Sequence, residues 1–346
     1  MLTETSNDLI QHFIKKSNIN EYLKSQNIKH LYESLNNNYK NSKIITKVDY
    51  NEYPYSNNNF IAKTLKNKLS VHQKVYSYQW TTNNKYSVKN ILNIYQKENN
   101  NTLPNIELLI KAISYITSFS NKNRNITIHL CLLNDKKILR KNSQNLTPLN
   151  INSGSNAFND TNSEICIFRK EECIKLLFHE IIHGLRFSDL NHNDEITEIL
   201  CQKYDLQSKE ILIDESYTEI WAKILNIFFI TSLMNSSTKY QNFCNMLAIE
   251  KEFSLYQGNK IKAFIKKSKN KNLDKDTNVT AYFLVVAEIF SNLDKFLMNC
   301  NQNLYINDHQ KFLNYFYNLD MFYKRRVNIN DKFYNSLRMS VCELII

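Results

Sequence analysis

The sequence predicts an α+β protein in which helices dominate. Three observations carry that expectation. Only 3 Gly and 3 Pro occur among 346 residues, and folds built from many tight turns need far more of both. Beyond Ile211 nearly every stretch repeats its apolar residues at helical spacing. Ahead of it, two apolar runs at 126–133 and 165–168 read as strands, the second leading straight into a helical pattern.

Taken in order, Leu9, Ile10, Phe13 and Ile14, then Leu23, Ile28, Leu31 and Leu35, mark two helices in residues 1–45. The Asn runs at 36–38, 57–59 and 99–101 read as solvated loops, and 71–80 alternates like a short strand. A soft boundary near 102 separates an expected N-terminal helical lobe with a short β segment, 1–102, from a second domain, 103–346. That domain opens with a helix at 106–116, the strands at 126–133 and 165–168, and a helix at 171–187. Helices are then expected at 214–233, 240–255, 279–298, 309–323 and 332–346. No fixed-period repeat points to a solenoid.

Composition excludes several classes. With 42% hydrophobic and 12% aromatic residues, the chain has the apolar surface that disordered proteins lack. Its longest apolar stretch, 224–234, is short and interrupted by polar residues, so no membrane span is expected. The start lacks the basic, apolar and small-residue regions of a secretory signal. Seven Cys with no CxxC spacing behave as buried thiols. A reducing, cytoplasmic compartment follows. The net charge of +11 accompanies abundant Asn, Lys and Ile, the signature of an AT-rich genome, and no nucleic-acid motif supports it. Nucleic acid is therefore not an expected partner, and Lys324-Arg325-Arg326 reads as a solvated helix end.

The chemistry lies in LLFHEIIHG, 176–184. Residues four apart on a helix share a face, so His179 and His183 can offer two imidazole nitrogens to one tetrahedral metal, for which zinc is the expected ion. Glu180 is rotated about 100° from His179, beside the metal and too far round to bind it, where it can take a proton from water. With 8 His and 33 acidic residues, chance supplies roughly 0.02 such windows, so the match is informative. Ile174, Leu177, Phe178, Ile181 and Leu185 form an apolar stripe that would bury this helix.

A catalytic site needs a third protein ligand. Glu215 and Glu219 in IDESYTEIWA, 213–222, sit four apart on one helical face, opposite an apolar stripe that includes Tyr217, Ile220 and Trp221. Like charges one turn apart repel, so a shared cation is attractive. Glu215 is the favoured ligand, with Asp189 and His192 as rivals.

Here the chain resembles the gluzincins, the thermolysin-like zinc metallopeptidases. The resemblance covers roughly 160–230. It implies one zinc ion held by His179, His183 and Glu215, with Glu180 as general base and Glu219 as the acid that orients a ligand histidine. It also implies a zincin-like fold, with a small sheet over the active helix and a helical half below, acting on a peptide or protein substrate. With Asn152-Ser153-Gly154 and the run 165–172 included, the pattern is also similar to uncharacterised HExxH proteins of giant DNA viruses, which would place the chain in a host cytoplasm or a virion.

Two departures stand out. His183 and Glu215 are 32 positions apart, farther than in thermolysin, and the exopeptidase GxMEN-type motif is absent. Asp189 falls where metzincin-like proteins keep a ligand, but Arg186 occupies the place of the Gly that would turn the chain back. The strand around Ile165 and Ile167 is expected to offer an edge to an extended peptide. Asn152 and Gly154 are expected at a turn needing positive φ and lining the cleft. Tyr282, His309 and Arg338 are candidates for stabilising an oxyanion. The expected function is zinc-dependent peptide hydrolysis; the alternatives are a catalytically inactive zinc-binding module of the same fold and a basic nucleic-acid-associated protein.

Overall fold

The N-terminal helices are set by their caps. In α1 (Glu4–Ile14) and α3 (Gln26–Asn41), the hydroxyls of Thr3 and Ser25 accept the backbone N–H groups of Ser6 and Ile28, satisfying donors that a helix start leaves free. The short α2 (Ile19–Leu23) lies between them. Leu9, Phe13, Ile28, Leu31 and Leu35 are buried, as their spacing predicts, whereas Ile10 and Leu23 are half-buried and Ile14 is exposed. The Asn run 36–38, expected as a loop, instead extends α3, where Asn38 Nδ2 donates to Ser118 Oγ at 2.6 Å. The structure, a computed structural model, describes residues 1–54, 74–96, 103–140, 145–188, 190, 193–268, 271–274, 277–300, 304–306, 308–322 and 325–346. The Asn runs 57–59 and 99–101 lie outside the described residues.

One mixed sheet follows, built from β1 (Lys43–Ile44), β2 (Asp49–Pro54), β3 (Lys74–Asn83), β4 (Ser87–Gln96), β5 (Arg124–Leu133), β6 (Gly154–Phe158) and β7 (Asn162–Arg169). Its strand order is β1-β3-β4-β5-β7-β6, with β2 also paired to β3. The β4–β5 and β5–β7 pairs are parallel and the others antiparallel. A parallel pair needs a crossover, and α4 (Ile106–Thr117) supplies the one between β4 and β5. Trp80 Nε1 donates to Ser114 Oγ at 2.8 Å and ties the sheet to that helix. The sheet draws strands from both sides of residue 102, and the N-terminal helices share one continuous apolar core with the rest.

The chain then passes through a short α5 (Pro148–Ile151), β6 and β7 into α6 (Cys173–Leu185), and on to α7 (Asp194–Tyr204) and α8 (Ile213–Leu233). α9 (Lys239–Lys267) is longer than expected. The pattern at 279–298 resolves into a π-helix (Thr280–Val285), α10 (Val286–Ser291) and α11 (Leu293–Asn299), and α12 (His309–Tyr317) stops early. The architecture is thus α+β, with a small mixed sheet and a helical C-terminal half. Among the described residues no helix is long and apolar enough to cross a membrane.

The segment 332–346, expected as a helix, is not one. Three consecutive backbone donors go to buried carboxylates instead. Glu172 accepts from Met339 N at 3.0 Å and Ser340 N at 2.5 Å, and Glu250 accepts from Val341 N at 2.9 Å. Buried N–H groups must find partners, and here side chains of two other elements supply them.

Candidate metal centre

Helix α6 is buried nearly all round. Ile174, Leu177, Phe178, Ile181 and Leu185 pack into the core, and Lys175, His179 and Glu180 are buried as well. Arg186, at φ 56°, ends the helix in the left-handed region. Helix α8 packs against α6 and presents Asp214, Glu215 and Glu219 to it.

Three atoms converge. His179 Nε2 and His183 Nε2 are 3.3 Å apart. Glu215 Oε2 lies 3.3 Å from the first and 3.2 Å from the second. Two ligand atoms about 2.0–2.1 Å from a tetrahedral ion stand about 3.3 Å apart, so this triangle matches one face of a tetrahedral coordination shell. Two imidazole nitrogens and a carboxylate oxygen are a donor set suited to a divalent ion.

The outer nitrogens of both rings meet acids. His179 Nδ1 contacts Glu219 Oε2 at 3.0 Å, and His183 Nδ1 lies 3.6 Å from Asp214 Oδ2. A carboxylate on the outer nitrogen holds the ring so that the inner nitrogen faces the metal. Glu219 is fully buried, and Lys175 Nζ donates to both its oxygens at 2.9 Å. The counter-charge for Glu219 is therefore Lys175, while Glu215 faces the two imidazoles.

The electrostatics favour a cation. Burial opposes charge on His179 and His183, yet Glu215 with Glu219 on the first and Glu215 with Asp214 on the second raise both pKa values. Burial likewise opposes charge on Glu215, but the two imidazoles hold its carboxyl well below the usual range. The field that would protonate the rings is the field that would attract a metal ion.

His179, His183, Glu215 and Glu219 line a cleft of about 340 Å³. Glu180 lies in its wall, outside the ligand triangle, and burial raises its pKa. Tyr282, on the π-helix, donates its hydroxyl to Glu215 Oε2 at 2.9 Å, and Asn278 Nδ2 donates to Glu215 Oε1 at 3.2 Å. Asn156 Nδ2 donates to the Glu180 backbone oxygen at 2.5 Å, fastening β6 to α6.

Several expected positions shift. Ile165 and Ile167 lie in β7, which is paired on one side to β5 and on the other to β6, and both side chains are fully buried; they offer no free edge. The outer strand is β6, which among the described residues pairs only with β7. Asn152 and Gly154 both line the cleft, but Gly154 is a strand residue without positive φ. Its role is spatial, because a Cβ there would stand 2.5 Å from Glu180 Oε1. Of the oxyanion candidates, Tyr282 lines the cleft. His309 begins α12, and Arg338 is buried against Glu343 at 2.6 Å; neither lines it. Asp189, His192 and Lys324 lie outside the described residues, and Arg325 pairs with Glu252.

Sequence reasoning missed Lys175, Asp214, Asn156 and Asn278. Lys175 carried a signal, since it is a lone cation one turn before His179 in an otherwise apolar run. The other three are marked by nothing but their place in the fold.

Known proteins add one relationship. The chain is 24% identical over 217 residues to an uncharacterised protein, R210, of Acanthamoeba polyphaga mimivirus; the match covers 58% of this chain and 53% of that protein. The chain thus spans about half the length of that relative. No protein-family model matches it, and no solved structure does.

Proposed function

We infer that the chain is a zinc-dependent metallopeptidase of the zincin type, with His179, His183 and Glu215 as ligands. The observation that carries this reading is the ligand triangle with sides of 3.2–3.3 Å, set in a cleft beside a buried carboxylate that is not a ligand. A zinc ion held there supplies Lewis acidity, polarising a peptide carbonyl and making water more acidic.

The remaining work falls to the chain. Glu180 takes the proton from the attacking water and passes it to the leaving amine; a carboxylate whose pKa is raised by burial suits both transfers. Tyr282, whose hydroxyl already reaches a ligand oxygen, is placed to donate to the developing oxyanion. The outer edge of β6 beside the cleft can hold an extended peptide by strand addition. Similarity to a mimivirus protein supports a viral source.

The test is peptide hydrolysis by wild type and by Glu180→Gln, with zinc measured in both. Wild type is expected to cleave, and the variant to keep its zinc while losing turnover by at least about 100-fold, the scale of general-base catalysis. A variant that retains both zinc and full activity removes Glu180 from the mechanism. Bound zinc with no turnover in either protein makes the chain a binding module.

A further inference from the structure

We propose that Lys175 is a positioning residue for the metal centre, acting through Glu219 on His179; this rests on the metal-site reading above. Lys175 sits one turn before His179 on α6, and its side chain is 1% exposed. Its ammonium donates to both oxygens of Glu219, at 2.9 Å each, and also reaches Met339 Sδ at 3.6 Å. Glu219 Oε2 also meets His179 Nδ1 at 3.0 Å. The series therefore ends on the Nε2 atom that forms one corner of the ligand triangle.

Two other buried Lys–Glu pairs show what sets this one apart. Lys137 pairs with Glu172 at 3.0 Å and Lys223 with Glu250 at 3.2 Å, and both carboxylates spend their other bonds on the C-terminal segment. Those pairs hold chain to chain. Among the described residues, Glu219 is the carboxylate that a buried lysine grips on one side while it grips a ligand ring on the other.

The physical effect has two parts. A carboxylate with no exposure is costly unless a counter-charge lies beside it, and Lys175 provides one. The two-point grip also fixes the plane of the carboxyl group, which leaves Oε2 aimed at Nδ1 and so fixes the rotation of the imidazole. Orientation of a ligand histidine by outer carboxylates is commonly worth 10–100-fold in metal affinity. Lys175 extends that orientation one residue farther from the metal.

The experiment is competition between the full-length protein and a zinc chelator, for wild type, Lys175→Met, Glu219→Gln and the double variant. Lys175→Met is expected to bind zinc about 10-fold more weakly or worse. If that single variant does not fold, because it strands a buried carboxylate, the double variant removes both charges and decides the matter against Glu219→Gln. Lys175 acts only through Glu219 in this account, so the double variant should bind zinc as weakly as Glu219→Gln and no more weakly. Wild-type affinity in a folded Lys175→Met protein, or a further tenfold loss in the double variant beyond Glu219→Gln, overturns the proposal. A wild type that binds no zinc overturns the metal site itself and the proposal with it.

Discussion

Gly154 on β6 and Glu180 on α6 are in such close approach that a Cβ at position 154 would stand 2.5 Å from Glu180 Oε1. Glu180 Cδ and Cγ would also stand 3.0 Å away, but all three atoms belong to one side chain that can turn aside, so Gly154→Ala should fold with only a small loss in Tm. If Glu180 is the general base proposed above, the displaced carboxyl group would be drawn away from the attacking water. Misplacement of a reacting group by about 1 Å can cost about 100-fold, so kcat should fall 10–100-fold with zinc content unchanged. Equal kcat in Gly154→Ala and wild type would show that the contact does not position the base.

The third ligand can be separated from its rivals by composition of the metal site. Zinc content measured by mass spectrometry should drop to background in Glu215→Gln and stay at one ion per chain in Asp189→Asn. The reverse pattern would make Asp189 the third ligand in place of Glu215.

Metal should also stabilise the fold. At a free concentration about 100 times its Kd, a ligand that binds only the native state adds about 2.7 kcal/mol. A thermal melt should therefore rise by several degrees when zinc is added to chelator-treated protein, and Glu215→Gln should not respond. An identical rise in that variant would place the stabilising zinc elsewhere.

Acid should weaken the anchor of the C-terminal segment. Burial pushes the Glu172 pKa up, but Lys137, Lys175 and Arg338 outweigh it and hold the group at about 2. A pKa lower in the folded state means that the folded form binds fewer protons, so this stability is complete above about 4.5 and is lost as pH falls toward 2. Glu172→Gln should melt lower at pH 7 and show a flatter decline between pH 4.5 and 2. A decline as steep as that of wild type would remove Glu172 from the acid response.

Much of the site was legible because helical spacing is a local property. His179, His183, Glu215 and Glu219 each lie four residues from a partner, and a 3.6-residue period alone puts such pairs on one face. The core faces of α1, α3 and α6 followed from the same rule. What depended on distant partners was not legible. At 332–346, Phe333, Leu337 and Val341 repeat at helical spacing, but Glu172 and Glu250 capture the backbone donors of Met339, Ser340 and Val341 in the middle of the segment. The strand β6 is short and polar, GSNAF, and carries no strand signature of its own. Its register on β7 exists only once β7 is in place, which is why sequence pattern alone points to Ile165 and Ile167 as the edge. The pairing of Lys175 with Glu219 joins residues 44 positions apart and had no expression in local pattern.

The most direct test of the central claim is a crystal structure of the purified protein with anomalous scattering recorded on both sides of the zinc absorption edge. One peak per chain is expected, about 2.0–2.2 Å from His179 Nε2, His183 Nε2 and a Glu215 oxygen, with Glu180 outside bonding distance. No peak at that point in zinc-supplemented crystals, or a zinc bound by other side chains, would contradict it.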